Sequence, residues 1–349
     1  MGQRLFGSYV RCLAADRFGR VFAELDPDIG PVLWKHNDIG QVKINWTKQD
    51  PKVTERLLHF GGRILLQFSN GLPDWGGVID PPERWDKRGI IESAIYEAGY
   101  LLGTRQTAKM RRFVNETVGS ILATIFNEVG AVSELGISLG NIWQGGDTYR
   151  VEYNYASLLK VIRDSLCGDL SDADWDVRPD IKSGHVIFRL TLYDRKGLTK
   201  NNVCLIEGHN AEIDFQRAGT ITNYWVAAGS GTDWYASRRV GVAQNNNSIS
   251  DYGLREGVRV LSGVANSTAA LTIQAGHLLE NTATPRNQYG VTTVDQEPAK
   301  FAHYDVGDTV RLMSHNMGHS GLVTDVRVLA REYDPSTGIC KLIIEEVTE

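Results

Sequence analysis

Apolar residues in this chain recur at two different periods, and the switches between them order its folding units. Through the first hundred residues the period is two. In "GQVKINW", Val42, Ile44 and Trp46 alternate with Gln41, Lys43 and Asn45, the pattern of a half-buried strand. "SYVRCLAA" and "RVFAEL", joined through Asp16-Arg17-Phe18-Gly19, read as a hairpin. Residues 52–60, "KVTERLLHF", predict a short helix stopped by Gly61-Gly62, after which "RILLQF" resumes a strand. From about residue 105 the period becomes helical. "TVGSILATIFNEVG" puts Val118, Ile121, Leu122 and Ile125 on one face, with Thr117 as a cap and Gly130 at the end. "YASLLKVIRDSLCG" predicts a second helix with the stripe Leu158, Leu159, Ile162 and Leu166. Strands return in "HVIFRLTLYD" and "NVCLIEG", turning at Arg195-Lys196-Gly197, and continue through "AEIDFQR", "NYWVAAGS" and "DWYASRRVGV". The polar run Gln244–Ser248 predicts a domain edge. "STAALTIQAGHLLEN" is a third helix, with Asn266 as cap and Pro285 beyond its end, and the last fifty residues are again strands. The order is β-rich, α/β, β-rich, helix, β-rich: an α+β chain dominated by strand, without a repeat of solenoid period.

One stretch, "LPDWGGVIDPPERW" over residues 72–85, carries two tryptophans, paired glycines and paired prolines. Asn70 to Asp74 form a turn cluster, and Trp75, Gly77 and Ile79 share a face of the following strand. Gly76 and Gly77 leave that strand bare on both faces, as at a bulge or a close backbone crossing. Pro81-Pro82 ends it, and "GIIESAIYEAGYLL" returns as its partner. Each oddity has a backbone role, so the stretch reads as a strand pair and not as a binding site.

The formal net charge is -5, with no basic run and no acidic tail, which argues against nucleic acid or an anionic membrane as the main partner. No window reaches the run of about 18 apolar residues of a membrane helix. The N-terminus lacks a signal-peptide core, and Phe6 stands where a myristoylated Gly2 would require Ser or Thr. Cys12, Cys167, Cys204 and Cys340 are scattered singly, as reduced thiols in a cytosol-folded chain are.

The motifs that mimic catalysis lack their context. Gly136-Ile137-Ser138-Leu139-Gly140 matches a nucleophile elbow by letters, but no helical period follows it. Asp172, Asp174 and Asp176 match the first ligands of a calcium loop, yet Val177 replaces its glycine and Ser183 its closing glutamate; they read as acids of a solvated loop. His315 and His319 have a metal spacing without a third ligand, and His209 has no nucleophile beside it. No catalytic, cofactor-binding or metal residue is assigned, and no cofactor is expected.

The order of segments resembles one family, the tail-hub or baseplate-hub proteins of tailed bacteriophages, which include tail-tip proteins of long non-contractile tails and the hub of type VI secretion spikes. "LWKHNDIGQVKINW" and "LLQFSNGLPDWGGVID" are similar to the first barrel of that family, and "IIESAIYEAGYLLGTRQT" to its returning strand. "YNYASLLKVIRDSL" resembles the helix of its inserted domain, and "CLIEGHNAEIDFQRAGTITNYWVAAG" the opening of its second barrel. "ISDYGLREGVRV" and "YDVGDTVRLM" resemble later segments. The resemblance spreads along nearly the whole chain and has no single diagnostic motif.

The resemblance implies two tail-tube-like β-barrels, residues 1–105 and 199–249 with 296–349, and a discontinuous α/β domain of 106–198 with 250–295 between them. It implies a homotrimer in the virion tail tip, assembled in the host cytoplasm. Three chains would give six barrels that continue a sixfold tube, with a distal tail protein above and tip or fibre proteins below. Tape-measure protein and then DNA would cross the lumen, with no membrane bound directly. The chain ends soon after its last strands, so a lytic role is not expected. The alternatives are a tail-associated peptidoglycan- or glycan-degrading enzyme, drawing on acids such as Glu116, Glu128 and Asp147, and a host-glycan binding module.

Overall fold

The computed structural model describes residues 9–58, 61–80, 84–85, 89–107, 109–129, 136–229, 238–261, 267–317 and 321–347. Strands hold 48% of the chain and helices 18%, so the β-rich class stands. The period-two segments form an eight-stranded antiparallel sheet in the order Val21–Leu25, Val10–Ala15, Arg63–Phe68, Trp75–Ile79, Ile90–Glu97, Gln41–Thr47, Asp28–Ile29, with Arg84–Trp85 also on Ile90–Glu97. Alternation works as predicted in Gln41–Thr47, where Val42, Ile44 and Trp46 are buried between exposed or half-buried neighbours.

A second sheet runs Thr199–Ile206, Thr309–Ser314, Leu322–Asp334, Ile339–Glu346, Gln288–Thr293, Ala211–Arg217. Strand Val32–Lys35 leaves the first sheet and pairs antiparallel with Leu322–Asp334, setting Val32 opposite Tyr333 and Trp34 opposite Arg331. The two large sheets share one core, built around Trp34, Ile44, Trp46, Trp75, Phe301, Tyr333 and Ile344.

The other face of the first sheet packs on the α/β unit. In Arg63–Phe68, Ile64 and Leu66 enter the shared core while Leu65 enters a second one with Ile121, Phe126, Leu166, Trp175 and Phe188. That unit contains the three-stranded sheet Ile137–Ile142, His185–Tyr193, Asp174–Lys182 and the pair Arg111–Glu116 with Tyr149–Tyr153. Helix Val118–Glu128 starts where the sequence placed it, with the Thr117 hydroxyl accepting from the Ser120 N–H. The second predicted helix begins as Leu158–Lys160 and widens into a π-helix over Val161–Leu170, burying Leu158, Ile162, Leu166 and Leu170. The helix expected over 52–60 is reduced to Glu55–Leu58 among the described residues.

A small sheet, Val240–Gln244, Tyr224–Gly229, Glu256–Leu261, is covered on one face by helix Thr268–Thr282. Ser267 caps that helix by accepting from the Ala270 N–H; Asn266, the cap read from the sequence, lies outside the described residues. The helix sits where a Cβ on Gly241 would meet its backbone at 2.1 Å. Two segments thus differ from the sequence division. Tyr224–Gly229 and Val240–Gln244 lie in this small sheet and not with the second large sheet, while Gln288–Thr293 joins the second large sheet. The polar run at 244–248 is no boundary: Asn245 caps the short helix Asn246–Tyr252 that links two strands of the small sheet.

Trp75-Gly76-Gly77 is a point of close approach. Trp75 is buried and donates Nε1 to the Leu33 carbonyl at 3.1 Å. A Cβ on Gly76 would meet Pro179 at 2.5 Å, and one on Gly77 would meet the Tyr96 carbonyl and the Trp75 ring, each at 2.5 Å. Among the described residues, no helix is long and apolar enough to cross a membrane.

Candidate functional site

The densest group of buried charges lies where the first sheet, the α/β unit and the second sheet meet. Asp174 and Asp176, read from the sequence as acids of a solvated loop, open the buried strand Asp174–Lys182. The tryptophan and valine between and beyond them pack into the α/β core, which draws the alternate acids into the junction. Asp174 Oδ1 faces His36 Nε2 at 2.9 Å and accepts from Asn37 Nδ2 at 2.8 Å. Its Oδ2 accepts from the Lys196 N–H at 2.7 Å and from Arg327 Nη2. Asn37 Oδ1 in turn accepts from the Trp175 N–H at 2.8 Å.

Asp176 accepts from Arg178 Nε at 2.9 Å and Tyr193 Oη at 3.3 Å, and pairs with Lys196 Nζ at 3.1 Å. Arg178 reaches on to Asp305 Oδ2 at 2.7 Å. Glu97, at the end of its strand, accepts from the Gly40 N–H at 3.0 Å.

Burial alone would raise the Asp174 carboxyl; the bonds and charges of His36, Arg327 and Lys196 outweigh it and hold it down to about 2. At Glu97 burial wins instead, raising it to about 7 against the pull of Arg178 and the Gly40 N–H. Asp305 is held low because Arg178 and Lys196 overcome its burial, and the same carboxylates raise Arg178. The adjoining cavity, between Trp34, Glu97, Trp175 and Arg178, measures about 10 Å³, room for one water-sized sphere and no substrate. Charges that are engaged with each other in so little space can position sheets.

The sequence motifs are dispersed. Ser138 lies on strand Ile137–Ile142, with its hydroxyl donating to the Phe188 carbonyl at 3.2 Å, as a strand residue and not an elbow nucleophile. His209 Nε2 contacts the Glu297 carbonyl at 3.1 Å. His315 is exposed, and His319 lies outside the described residues. Glu116 accepts from the Ser120 hydroxyl, Glu128 pairs with Arg111, and Asp147 stands apart from both on the surface. The four cysteines are free thiols, and burial raises each of them. What sequence reading missed was the junction itself. Its residues come from segments far apart in the chain, and the one local signal was the alternation of Asp174 and Asp176 around Trp175.

An open cleft of about 1150 Å³ lies beside strand Tyr149–Tyr153, bordered by Arg112, Lys160, Asp164, Asp169 and Arg239. Its charges are of both signs, and Tyr153 shares a 2.7 Å hydrogen bond with Ser165.

No family model matches the chain, and no curated protein matches it. Solved structures do. The prophage tail protein gp18 from Listeria monocytogenes EGD-e is 15% identical with a TM-score of 0.59, over 97% of this chain and 95% of that one. The tail protein from Neisseria meningitidis MC58 is 10% identical with a TM-score of 0.61, over 97% and 96%. The Escherichia coli c3393 protein is a type VI secretion component described as structurally similar to the T4 tail proteins gp27 and gp5. It is 10% identical with a TM-score of 0.52, over 99% of this chain and 76% of that one. The chain has the fold of these phage tail proteins, the tail-hub fold that its sequence resembles.

Proposed function

We propose that this chain is a structural protein of a phage virion tail: a trimeric hub that adapts a sixfold tail tube and its distal tail protein to a threefold tip. The observation that carries this reading is the extent of the likeness, which runs through 97% of this chain and 95% of the Listeria tail protein. In this reading each large sheet curls into a tube-like barrel, so three copies supply six. In this reading the units are 1–105, 106–198 with 250–295, and 199–249 with 296–349, with the two segments that change sheets reassigned. The fused core and the exchanged strand Val32–Lys35 keep both barrels of a protomer at a fixed angle.

The small sheet supports assembly with further copies. Its uncovered face carries Val240, Val242, Val258 and Val260, all exposed in the single chain. Adjacent β-branched side chains on an open sheet face are surface that association would remove from water.

The lumen of such a ring passes tape-measure protein and then DNA. A formal charge of -5 without a basic run suits a wall that does not grip the polyanion. The protein acts in this reading as a conduit, not as an enzyme. Native mass measurement of the purified chain should return three copies, and duplex DNA near physiological salt should not bind tightly. A monomer at all concentrations, or catalytic release of fragments from peptidoglycan, would overturn the reading.

A further inference from the structure

Helix Thr268–Thr282 carries His277 and Glu280 at i and i+3, on one face, and that face looks onto the loop that follows the π-helix Val161–Leu170. One ligand atom each from Asp172, His277 and Glu280 lie within 4.8 Å of one another. Ligand atoms bound to one ion at about 2.1 Å stand roughly 3–4 Å apart, so a small side-chain rotation closes the set. A fourth group is near, with Asp147 Oδ2 3.9 Å from His277 Nε2.

Two observations separate this group from an ordinary cluster of surface acids. His277 Nε2 is buried and has no hydrogen-bond partner, a costly state for an imidazole nitrogen that a bound cation relieves. Asp172 is also already oriented: Asn281 Nδ2 donates to its Oδ1 at 2.7 Å, leaving Oδ2 for a further partner. Outer bonds of this kind hold carboxylate ligands in position at metal centres. Among the described residues no hydrogen bond or ion pair engages the Glu280 carboxylate.

We propose that Asp172, His277 and Glu280, with Asp147 beside them, form a divalent-cation site that pins the small sheet and its helix to the α/β unit. One imidazole with carboxylates suits Zn²⁺ or Mn²⁺; Ca²⁺ and Mg²⁺ prefer sets made of oxygen alone. The ion joins elements also tied by Arg259 to Asp169 and by Asn281 to Asp172. It acts as a clip, independent of any role in the tail.

Calorimetric titration of the tag-free, metal-stripped chain with Zn²⁺ and Mn²⁺ tests this, alongside thermal melting. One saturable equivalent per chain and a raised melting temperature are expected. Glu280→Gln, at an exposed position, and His277→Ala should each weaken binding at least tenfold while melting as the metal-free parent does. Absence of saturable binding, or equal affinity in both variants, would overturn the site. Tighter binding of Ca²⁺ than of either ion would overturn its chemical class.

Discussion

Arg327 of the second large sheet donates to the carboxylate of Asp174 in the three-stranded sheet, and His36, from the segment beside the exchanged strand, contacts the same carboxylate. Asp174 is therefore the residue on which all three parts of the chain converge. Removing its charge leaves the half-buried Arg327 without its counter-charge, the costly way to break such a pair. Asp174→Asn should cost about 3 kcal/mol, read as a lower denaturation midpoint at pH 7.

The same residue sets an acid limit. Its folded value, about 2, lies below the ordinary carboxylate value, so its contribution is present above about pH 4 and is lost as pH falls toward 2. The parent should lose on the order of 2 kcal/mol across that window through this group. Asp174→Asn should show a flatter acid limb. Identical limbs in pH-resolved melting would contradict the assignment.

Glu97 has the opposite sign. Its folded value, about 7, lies above the ordinary value near 4.5, so folding favours the protonated form. The contribution is complete below about pH 4.5 and is lost as pH rises through 7. Glu97→Gln keeps an acceptor for the Gly40 N–H and removes the buried charge. It should melt higher than the parent at pH 8 and close to it at pH 4.5.

Gly77→Val puts a branched side chain where even a Cβ meets the Tyr96 carbonyl at 2.5 Å. The expected loss is of the order of 1–3 kcal/mol, with lower soluble yield and less of the proposed trimer. Gly276→Ala is the control: nothing lies within 4 Å of its Cβ, and the helix should tolerate or gain from the change. A Gly77→Val protein as stable as the parent would show the close approach to be relaxed.

Val258 and Val260 are 68% and 51% exposed on the open face of the small sheet. If this face joins the copies of the proposed trimer, replacing both by Glu should leave the protomer folded and shift the light-scattering mass toward monomer. An unchanged trimer would place the protomer contact elsewhere.

The strand–helix order was legible because its signals are local. Val42, Ile44 and Trp46 report burial on one face, and Thr117 announces a helix start. The sheet memberships were not. Nothing in "VLWK" says that Trp34 will lie opposite Arg331, because that choice is made by a distant strand and a common core. "NYWVAAGS" reads as a strand in either sheet; the helix over Gly241 decides which. Asp174 and Asp176 looked solvated because their partners His36, Lys196 and Arg327 are remote in sequence. Glu97 gave no sign of its raised value, since burial there follows from the meeting of three sheets.

The exchanged strand Val32–Lys35 also bears on how the chain is made. It leaves the ribosome early, and its hydrogen-bonding partner, Leu322–Asp334, is among the last strands to follow. At synthesis rates of about 5–20 residues per second, the nascent chain waits roughly 15 to 60 seconds with that edge unpaired and Trp34 without its burial site. The shared core therefore cannot close until residues 322–334 have been made, so a chain stalled before them presents an open strand edge for quality control to recognise.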